Sequence, residues 1–212
     1  MAKETIGSAA VATLPLDDEA LVEQVREGDT GAFGRLVTRH QDRVLNTCWR
    51  ICGNAEDAQD LAQETFLNAL QAIGSFQRKS RFYTWLFRIA VNVSISYRRR
   101  RAKRIALSLH GRDGAWRSDH QAAKLVGRVS SEADDPPARL SAQETERRLL
   151  QSLEQLDDDH RAVVVLRDIE GMDYHQIAEI LEVPAGTVKS RLHRARMDLR
   201  ERLKPMLEVS EK

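Results

Sequence analysis

The sequence has few of the features that mark metal-binding, secreted or membrane proteins. It contains two cysteines, Cys48 and Cys52, which are too few for a disulfide framework, and no second cysteine or histidine pair at zinc-finger spacing. No apolar run approaches the roughly 18 residues of a membrane span, and the first residues lack a cationic lead followed by a long apolar stretch. We therefore expect a cytoplasmic protein with reduced core thiols, no metal, no cofactor and no membrane insertion.

Motifs of catalysis are also absent from the sequence. There is no glycine-rich phosphate loop, no set of metal ligands and no nucleophile with a recognisable partner motif. What is present is an ordinary globular composition of 212 residues, 42% hydrophobic and 31% charged, which is enough for one large or two small domains. An enzyme is therefore the least favoured of the function classes considered.

The charge is balanced overall but uneven along the chain. Lysine and arginine number 33, against 32 aspartate and glutamate residues. Residues 76–104 carry ten basic and no acidic groups, and six of the seven residues in RRRRAKR (98–104) are basic. A further seven basic residues lie between Lys189 and Lys204. Because a solvated helix face usually mixes both signs, this separation favours a polyanionic partner, with nucleic acid the leading candidate.

Apolar periodicity predicts an all-α protein with two small helical domains joined by a flexible linker. The spacing of three and four residues fades where small and polar residues gather around Asp-Asp-Pro-Pro, and it returns after a capping box at Ser141–Glu144. The run VVVL at 163–166 would also suit a strand, but its surroundings favour a helix. The predicted boundaries are 1–16 for a disordered extension, 17–104 for the first domain, 105–140 for the linker, 141–205 for the second domain and 206–212 for a tail.

The second domain contains a helix-turn-helix pattern. Asp173 and Gln176 form a capping box at the start of one helix, Val183-Pro184 ends it, and another helix follows at once. Apolar residues fall on one side of this later helix, and the other side carries polar and cationic groups that suit base edges and phosphates. A solvated cationic helix is the alternative. The predicted DNA-binding residues here are Thr187, Lys189, Ser190, Arg191, His193, Arg194 and Arg196.

Two stretches resemble regions of one protein family. MDYHQIAEILEVPAGTVKSRLHRARMDLRERL (172–203) resembles region four of bacterial sigma factors, and FQRKSRFYTWLFRIAVN (76–92) resembles region two. In this order they resemble the extracytoplasmic-function group of the sigma-70 family, over about Asp17 to Leu203. The resemblance implies a subunit without chemistry of its own that directs RNA polymerase to promoters and helps to melt DNA. A stand-alone helix-turn-helix regulator, which would need only residues 143–205, is the alternative.

Region two of such proteins binds the minus ten element as single-stranded DNA, for which aromatic platforms and cations are suited. The loop 74–80 resembles the family's loop that holds a flipped base, although many relatives have glycine and an acidic residue where Arg78-Lys79 stand. For each aromatic residue, burial in the core is the competing interpretation. The arginine run is expected to bind the phosphates of duplex DNA with little sequence selectivity. The DNA-binding residues assigned here are Phe76, Gln77, Arg78, Lys79, Ser80, Phe82, Trp85, Arg88, Arg98, Arg99, Arg100 and Arg101.

The resemblance also implies protein partners. DAQDLAQETFLNAL (57–70) resembles the segment that docks on the clamp coiled coil of core RNA polymerase, and the helices within 144–171 would help region four to engage the flap. Region four would read the minus thirty-five element as duplex DNA. Members of this group are commonly held by an anti-sigma factor, so such a partner is expected. The residues assigned to core polymerase binding are Asp57, Asp60, Gln63, Glu64 and Leu67.

Overall fold

The chain folds into α-helices, as predicted. In the computed structural model the described residues are 17–110 and 147–207, and none of them forms a β-strand. The first domain comprises α1 (Asp18–Arg26), α2 (Thr30–Cys52), α3 (Ala55–Ala72), a 3-10 turn (Ile73–Ser75) and α4 (Phe82–His110). The second comprises α5 (described over 147–154), α6 (Asp158–Val164), a π-helical turn (Val165–Ile169), α7 (Tyr174–Leu181) and α8 (Ala185–Leu207).

The helix boundaries agree with the sequence pattern in most places. The run at 163–166 is helical, while the predicted capping box at Ser141–Glu144 and most of the predicted linker lie outside the described residues. One boundary differs, because α4 continues to His110 and so runs past the domain end predicted at residue 104. The residues after the arginine run are mostly good helix formers, so nothing in the local sequence ends the helix there.

Side-chain caps fix where the helices begin. Asn54 accepts hydrogen bonds from the backbone amides of Glu56 and Asp57 at 2.8 and 3.1 Å, as its position before the acidic first turn of α3 predicts. Asp173 and Gln176 form the predicted capping box of α7. Gly53 ends α2 with a φ of 80°, a left-handed conformation that favours glycine.

The core of the first domain lies where α2 packs against α3 and α4. Small residues on α3, Ala58 and Ala69, are fully buried and let the helices approach closely. Cys48 and Cys52 are buried on α2 as free thiols, in agreement with the predicted reduced core. His40 is buried on the same helix, where its Nε2 lies 2.8 Å from Oδ2 of Asp18 on α1. This histidine is therefore a packed residue that ties α1 to the bundle.

The second domain is a small bundle built around the helix-turn-helix. Val188, Leu192 and Ala195 of α8 are buried, as their spacing predicts, and they pack with Ile177 and Ile180 of α7. The turn between α7 and α8 is made by Glu182, whose φ of 54° and ψ of 42° are left-handed. The buried residues of both domains join in one apolar cluster, so the domains pack directly against each other.

Candidate nucleic-acid and polymerase interfaces

The first half of α8 presents a polar, cationic face to solvent. Lys189, Ser190, His193 and Arg194 are exposed, and Thr187 is half-buried near the start of the helix. Met197 is also exposed on this face and was not among the predicted site residues. The arrangement offers hydroxyl, imidazole and guanidinium groups side by side, which is the chemistry needed for phosphates and base edges in a major groove.

Two of the predicted DNA-binding arginines on α8 are engaged inside the second domain. Arg191 Nη2 lies 2.6 Å from Oδ2 of Asp159 on α6. Arg196 Nε donates to Oδ2 of Asp168 at 3.1 Å, and this hydrogen bond raises the pKa of the arginine. Both pairs tie α8 to the helix before the helix-turn-helix. Arg196 is nonetheless 53% exposed, and Arg191 is half-buried.

The loop before α4 is held by residues of α1 that the sequence pattern did not single out. The Arg26 guanidinium donates to the carbonyl oxygens of Ile73, at 3.3 Å, and of Phe76. Arg78 has a φ of 56° and forms an ion pair with Glu23 of α1. Its left-handed backbone is the conformation that glycine adopts most easily. The loop is thereby fixed in a bend that leaves the side chains of Gln77, Arg78 and Lys79 exposed, with Ser80 half-buried.

The aromatic residues assigned to DNA lie in the core instead. Phe76, Phe82 and Trp85 are 3%, 1% and 9% exposed. Their rings form one cluster, with centroids 5.1 Å apart for Phe76 and Trp85 and 5.8 Å apart for Phe82 and Trp85. Rings that bury this much apolar surface offer no face for a base to stack on. In this arrangement the three residues pack behind the loop, and their rings are not exposed for contact with a base.

The arginine run on α4 is only partly open to solvent. Arg98 and Arg99 both reach Asp158 of α6, with Nε–Oδ distances of 3.0 and 3.3 Å. Arg101 Nη1 lies 3.4 Å from Oδ2 of Asp57 on α3, while Arg100 is exposed. Thus the run contributes to packing within the molecule as well as offering positive charge at its surface.

The face of α3 assigned to polymerase is largely exposed. Asp60, Gln63 and Glu64 are open to solvent, and Leu67 is 59% exposed, which is unusual for a leucine next to a well-packed core. Leu70, three residues on, is 42% exposed and extends the same apolar strip; its i+3 spacing from Leu67 was the available signal. An acidic face with an apolar strip is a suitable surface for another protein.

No helix among the described residues is long and apolar enough to cross a membrane. Within 17–110 and 147–207, no group of three or more histidine, cysteine or acidic side chains is arranged to hold a metal ion.

Comparison with known proteins gives matches over both domains. Residues 36–104 match the family model for Sigma-70 region 2, and residues 146–199 match that for Sigma-70, region 4. The chain is 36% identical to the RNA polymerase sigma-H factor of Pseudomonas aeruginosa, over 90% of this chain and 95% of the relative. It is 36% identical to the ECF RNA polymerase sigma-E factor of Haemophilus influenzae, over 91% of this chain and 98% of the relative.

A solved structure is similar to this chain over most of its length. The chain is similar to the sigma factor RpoE of Bartonella quintana, solved in complex with the anti-sigma factor NepR, with a TM-score of 0.60 and 26% identity. The match covers 81% of this chain and 96% of that one. The chain belongs to the sigma-70 family of RNA polymerase sigma factors, in its extracytoplasmic-function group.

Proposed function

We propose that this sigma factor binds core RNA polymerase in the cytoplasm, directs it to specific promoters and helps to open the DNA, without a catalytic step of its own. The observation that carries the proposal is the pairing of two matched regions in one chain, region 2 at 36–104 and region 4 at 146–199. A stand-alone helix-turn-helix regulator would need only the second of them. The relatives named as RNA polymerase sigma factors span nearly the whole chain and support the same function.

The two domains would bind different elements of the promoter. The exposed face of α8 would read the minus thirty-five element as duplex DNA, with His193 and Arg194 toward the base edges. The loop at Gln77–Ser80 would receive the single strand of the minus ten element, where Arg78 and Lys79 supply positive charge for the backbone. Because phosphate contacts hold DNA without reading it, sequence selection in the first domain would fall to the loop rather than to the arginine run.

The exposed face of α3 would dock on the clamp coiled coil of the polymerase. Acidic and amide groups at Asp60, Gln63 and Glu64 would meet basic or polar partners, and Leu67 would provide the apolar anchor. The helices α5 and α6 would help the second domain to engage the flap. An anti-sigma factor is a further expected partner, in line with the solved complex of the Bartonella protein with NepR.

Transcription from purified components tests this function. Core RNA polymerase is mixed with the protein and a library of promoter fragments, and transcripts are sequenced with the protein present or omitted. Initiation at a subset of fragments that share two spaced motifs supports the proposal. Binding of duplex DNA without initiation by competent core would favour the stand-alone regulator.

Matched variants separate the two DNA contacts. Arg194→Ala should reduce initiation at promoters that depend on the upstream motif, whereas Arg200→Ala, exposed on the same side of α8 but nearly two turns farther along the helix, should leave initiation unchanged. Lys79→Ala should leave upstream binding intact and slow strand opening, measured by permanganate reactivity of unpaired thymines. Equal effects of Arg194→Ala and Arg200→Ala would contradict the assigned recognition face.

A further inference from the structure

The loop at 77–80, before α4, has few bonds of its own. Among the described residues, no backbone hydrogen bond joins the amides or carbonyls of 77–80 to one another or to the rest of the chain. A segment without such bonds takes its shape from the side chains that hold it. Two of these side chains, Glu23 and Arg26, come from α1, a helix that precedes the residues 36–104 matched to Sigma-70 region 2.

Arg26 holds the start of the loop through two backbone carbonyls. Its Nε donates to the carbonyl oxygen of Ile73 at 3.3 Å, and its Nη2 donates to that of Phe76. The forked donors of one guanidinium thus fix both ends of the segment 73–76, which the single ammonium of a lysine matches poorly. The Phe76 ring is buried against Trp85, with centroids 5.1 Å apart. Phe76 is therefore fixed by its side chain and by its carbonyl together, and the exposed part of the loop starts from a rigid point.

Glu23 connects this clamp to the exposed part of the loop. Its Oε1 atom accepts from Arg26 Nη1 at 3.0 Å and also meets Nη2 of Arg78. Arg78 has a φ of 56°, a conformation that strains a residue with a β-carbon and persists only where its surroundings enforce it. The ion pair with Glu23 therefore offsets the strain at Arg78 and directs its guanidinium toward α1.

Charge and geometry would contribute differently to strand binding by this loop. A cation attracts a phosphate over a distance set by the ionic strength, so Arg78 and Lys79 would hold a strand in many loop conformations. A hydrogen bond to a base edge needs a donor–acceptor distance of about 2.9 Å and a favourable angle, so base selection needs one conformation. Loosening the loop should thus reduce base selection much more than it reduces affinity.

We propose that Glu23 and Arg26 are positioning residues for base selection, which hold the loop in the conformation where Gln77 and Ser80 meet bases of the minus ten element. They act through the loop and not by contact with DNA. The inference rests on the proposed function for the assignment of this loop to the melted strand. It adds α1, which lies outside the matched region, to the parts of the chain that determine promoter choice.

Transcription by core RNA polymerase from single-base variants of one promoter tests this role. The promoter is one that the wild type uses, each variant carries a transcribed barcode, and base preferences are calculated at every position of both promoter elements. Glu23→Gln removes the charge that pairs with Arg78 but keeps an oxygen that can accept from Arg26. Arg26→Lys keeps the positive charge but removes the fork of donors. The matched controls are Glu27→Gln, at an exposed carboxylate at the end of α1, and Arg35→Lys, at an exposed arginine that pairs with Asp29.

We expect Glu23→Gln and Arg26→Lys to lower the preference for the favoured base in the minus ten element by roughly fivefold, which corresponds to about 1 kcal/mol of discrimination. Preferences in the minus thirty-five element should not change, and both controls should match the wild type. Total initiation should fall by less than about twofold, because Arg78 and Lys79 keep their charge. Unchanged minus ten preferences would overturn the inference. Equal loss of preference in both elements would also overturn it, because it would indicate a general loss of structure.

A second background identifies the residue through which Glu23 acts. Arg78→Gly supplies a residue that adopts the left-handed conformation without strain, and it removes the partner of Glu23. Glu23→Gln should therefore change minus ten preferences when Arg78 is present and have little further effect in the Arg78→Gly background. Effects of equal size in both backgrounds would mean that Glu23 does not act through Arg78, and the assigned role would be wrong.

Amide hydrogen exchange measures how firmly the loop is held, without polymerase or DNA. Peptides that span 73–81 should exchange faster in Glu23→Gln and Arg26→Lys than in the two controls, because the loop opens more often. Circular dichroism verifies that each variant retains its helices. Equal exchange in variants and controls would show that neither residue holds the loop, against the proposal.

The wild-type reactions separate this inference from the proposed function. If the wild type fails to direct initiation by competent core polymerase, the proposed function falls and the inference falls with it. If the wild type initiates at selected promoters while Glu23→Gln and Arg26→Lys select the same bases, only the inference is refuted.

Discussion

Glu182 gives the sharpest test of the turn between α7 and α8. Its backbone is left-handed, with a φ of 54° and a ψ of 42°, at a position where a helix end favours glycine. A residue with a β-carbon costs on the order of 1 kcal/mol more than glycine in this conformation. We therefore expect Glu182→Gly to leave function intact and to raise the free energy of unfolding by up to about 1 kcal/mol.

The Glu182 carboxylate also contacts Arg88, and the loss of this contact in Glu182→Gly would offset part of the gain in stability. The Glu182 carboxylate lies 3.5 Å from Arg88, but the glutamate side chain is 73% exposed, so the pair is screened by solvent and contributes roughly 0–1 kcal/mol. Glu182→Ala removes the same carboxylate and keeps the β-carbon. The difference between the glycine and alanine variants therefore isolates the backbone effect, which should be about 1 kcal/mol in favour of glycine.

Urea unfolding of the full chain followed by circular dichroism provides the free energies, and a thermal melt provides a second measure. For a chain of this size, 1 kcal/mol corresponds to a shift of about 2–4 °C in Tm. Glu182→Gly should therefore melt a few degrees above Glu182→Ala. If the alanine variant were as stable as the glycine variant, or more stable, the left-handed turn at this position would be refuted.

Other residues allow independent tests. Gly53→Ala should lower the unfolding free energy by at least about 1 kcal/mol in urea, because φ is 80° and the added carbon would lie 2.6 Å from a Glu154 oxygen; wild-type stability would contradict the geometry. Burial alone would raise the pKa of Asp18, but hydrogen bonds from its histidine and arginine partners outweigh burial and lower it. Its contribution to stability should thus be present at neutral pH and fade below about pH 4, and Asp18→Asn should remove this part of the pH dependence of unfolding. Burial raises the pKa of the Cys48 thiol to about 11 and that of Cys52 to about 12, so a thiol reagent at neutral pH should label the unfolded protein and leave the native protein unlabelled.

The sequence could predict those structural features that depend on residues close together along the chain. Helix caps such as Asn54 and Asp173 depend on residues two or three positions away, and the buried side of α8 follows from the helical repeat. The helix-turn-helix and the exposed face of α3 came from the same local regularity. These features are fixed by short-range geometry, so a correct pattern is enough to find them.

What the sequence could not predict depends on contacts between distant segments. Aromatic residues interleaved with cations suit both a base-stacking surface and a core, and only the packing of Phe76, Phe82 and Trp85 against one another in the core decides between the two. Glu170 meets Arg43 across 127 positions of the chain, and no local pattern marks either residue. Local sequence patterns therefore could not predict the contacts between the two domains.

Arg161 is a buried cation whose hydrogen bonding is incomplete. It is 1% exposed on α6 and donates from Nη1 to the carbonyl oxygen of Ile51 at 2.6 Å, but its Nε and Nη2 have no hydrogen-bond partner among the described residues. Burial, reinforced by the nearby charge of Arg98, lowers the pKa of Arg161 to about 10. Each buried donor without a partner costs about 1–3 kcal/mol, so the two unpartnered donors of this guanidinium lower the stability of the fold.

Replacement of Arg161 by an apolar side chain of similar length should therefore stabilise the protein. We expect Arg161→Met to raise the free energy of unfolding in urea by about 1–3 kcal/mol, because a well-packed apolar group replaces an incompletely bonded charge. Arg147→Met, at an exposed position on α5, is the control and should change it by less than about 0.5 kcal/mol. Destabilisation by Arg161→Met would mean that the hydrogen bond to the Ile51 carbonyl outweighs the cost of the two unpartnered donors.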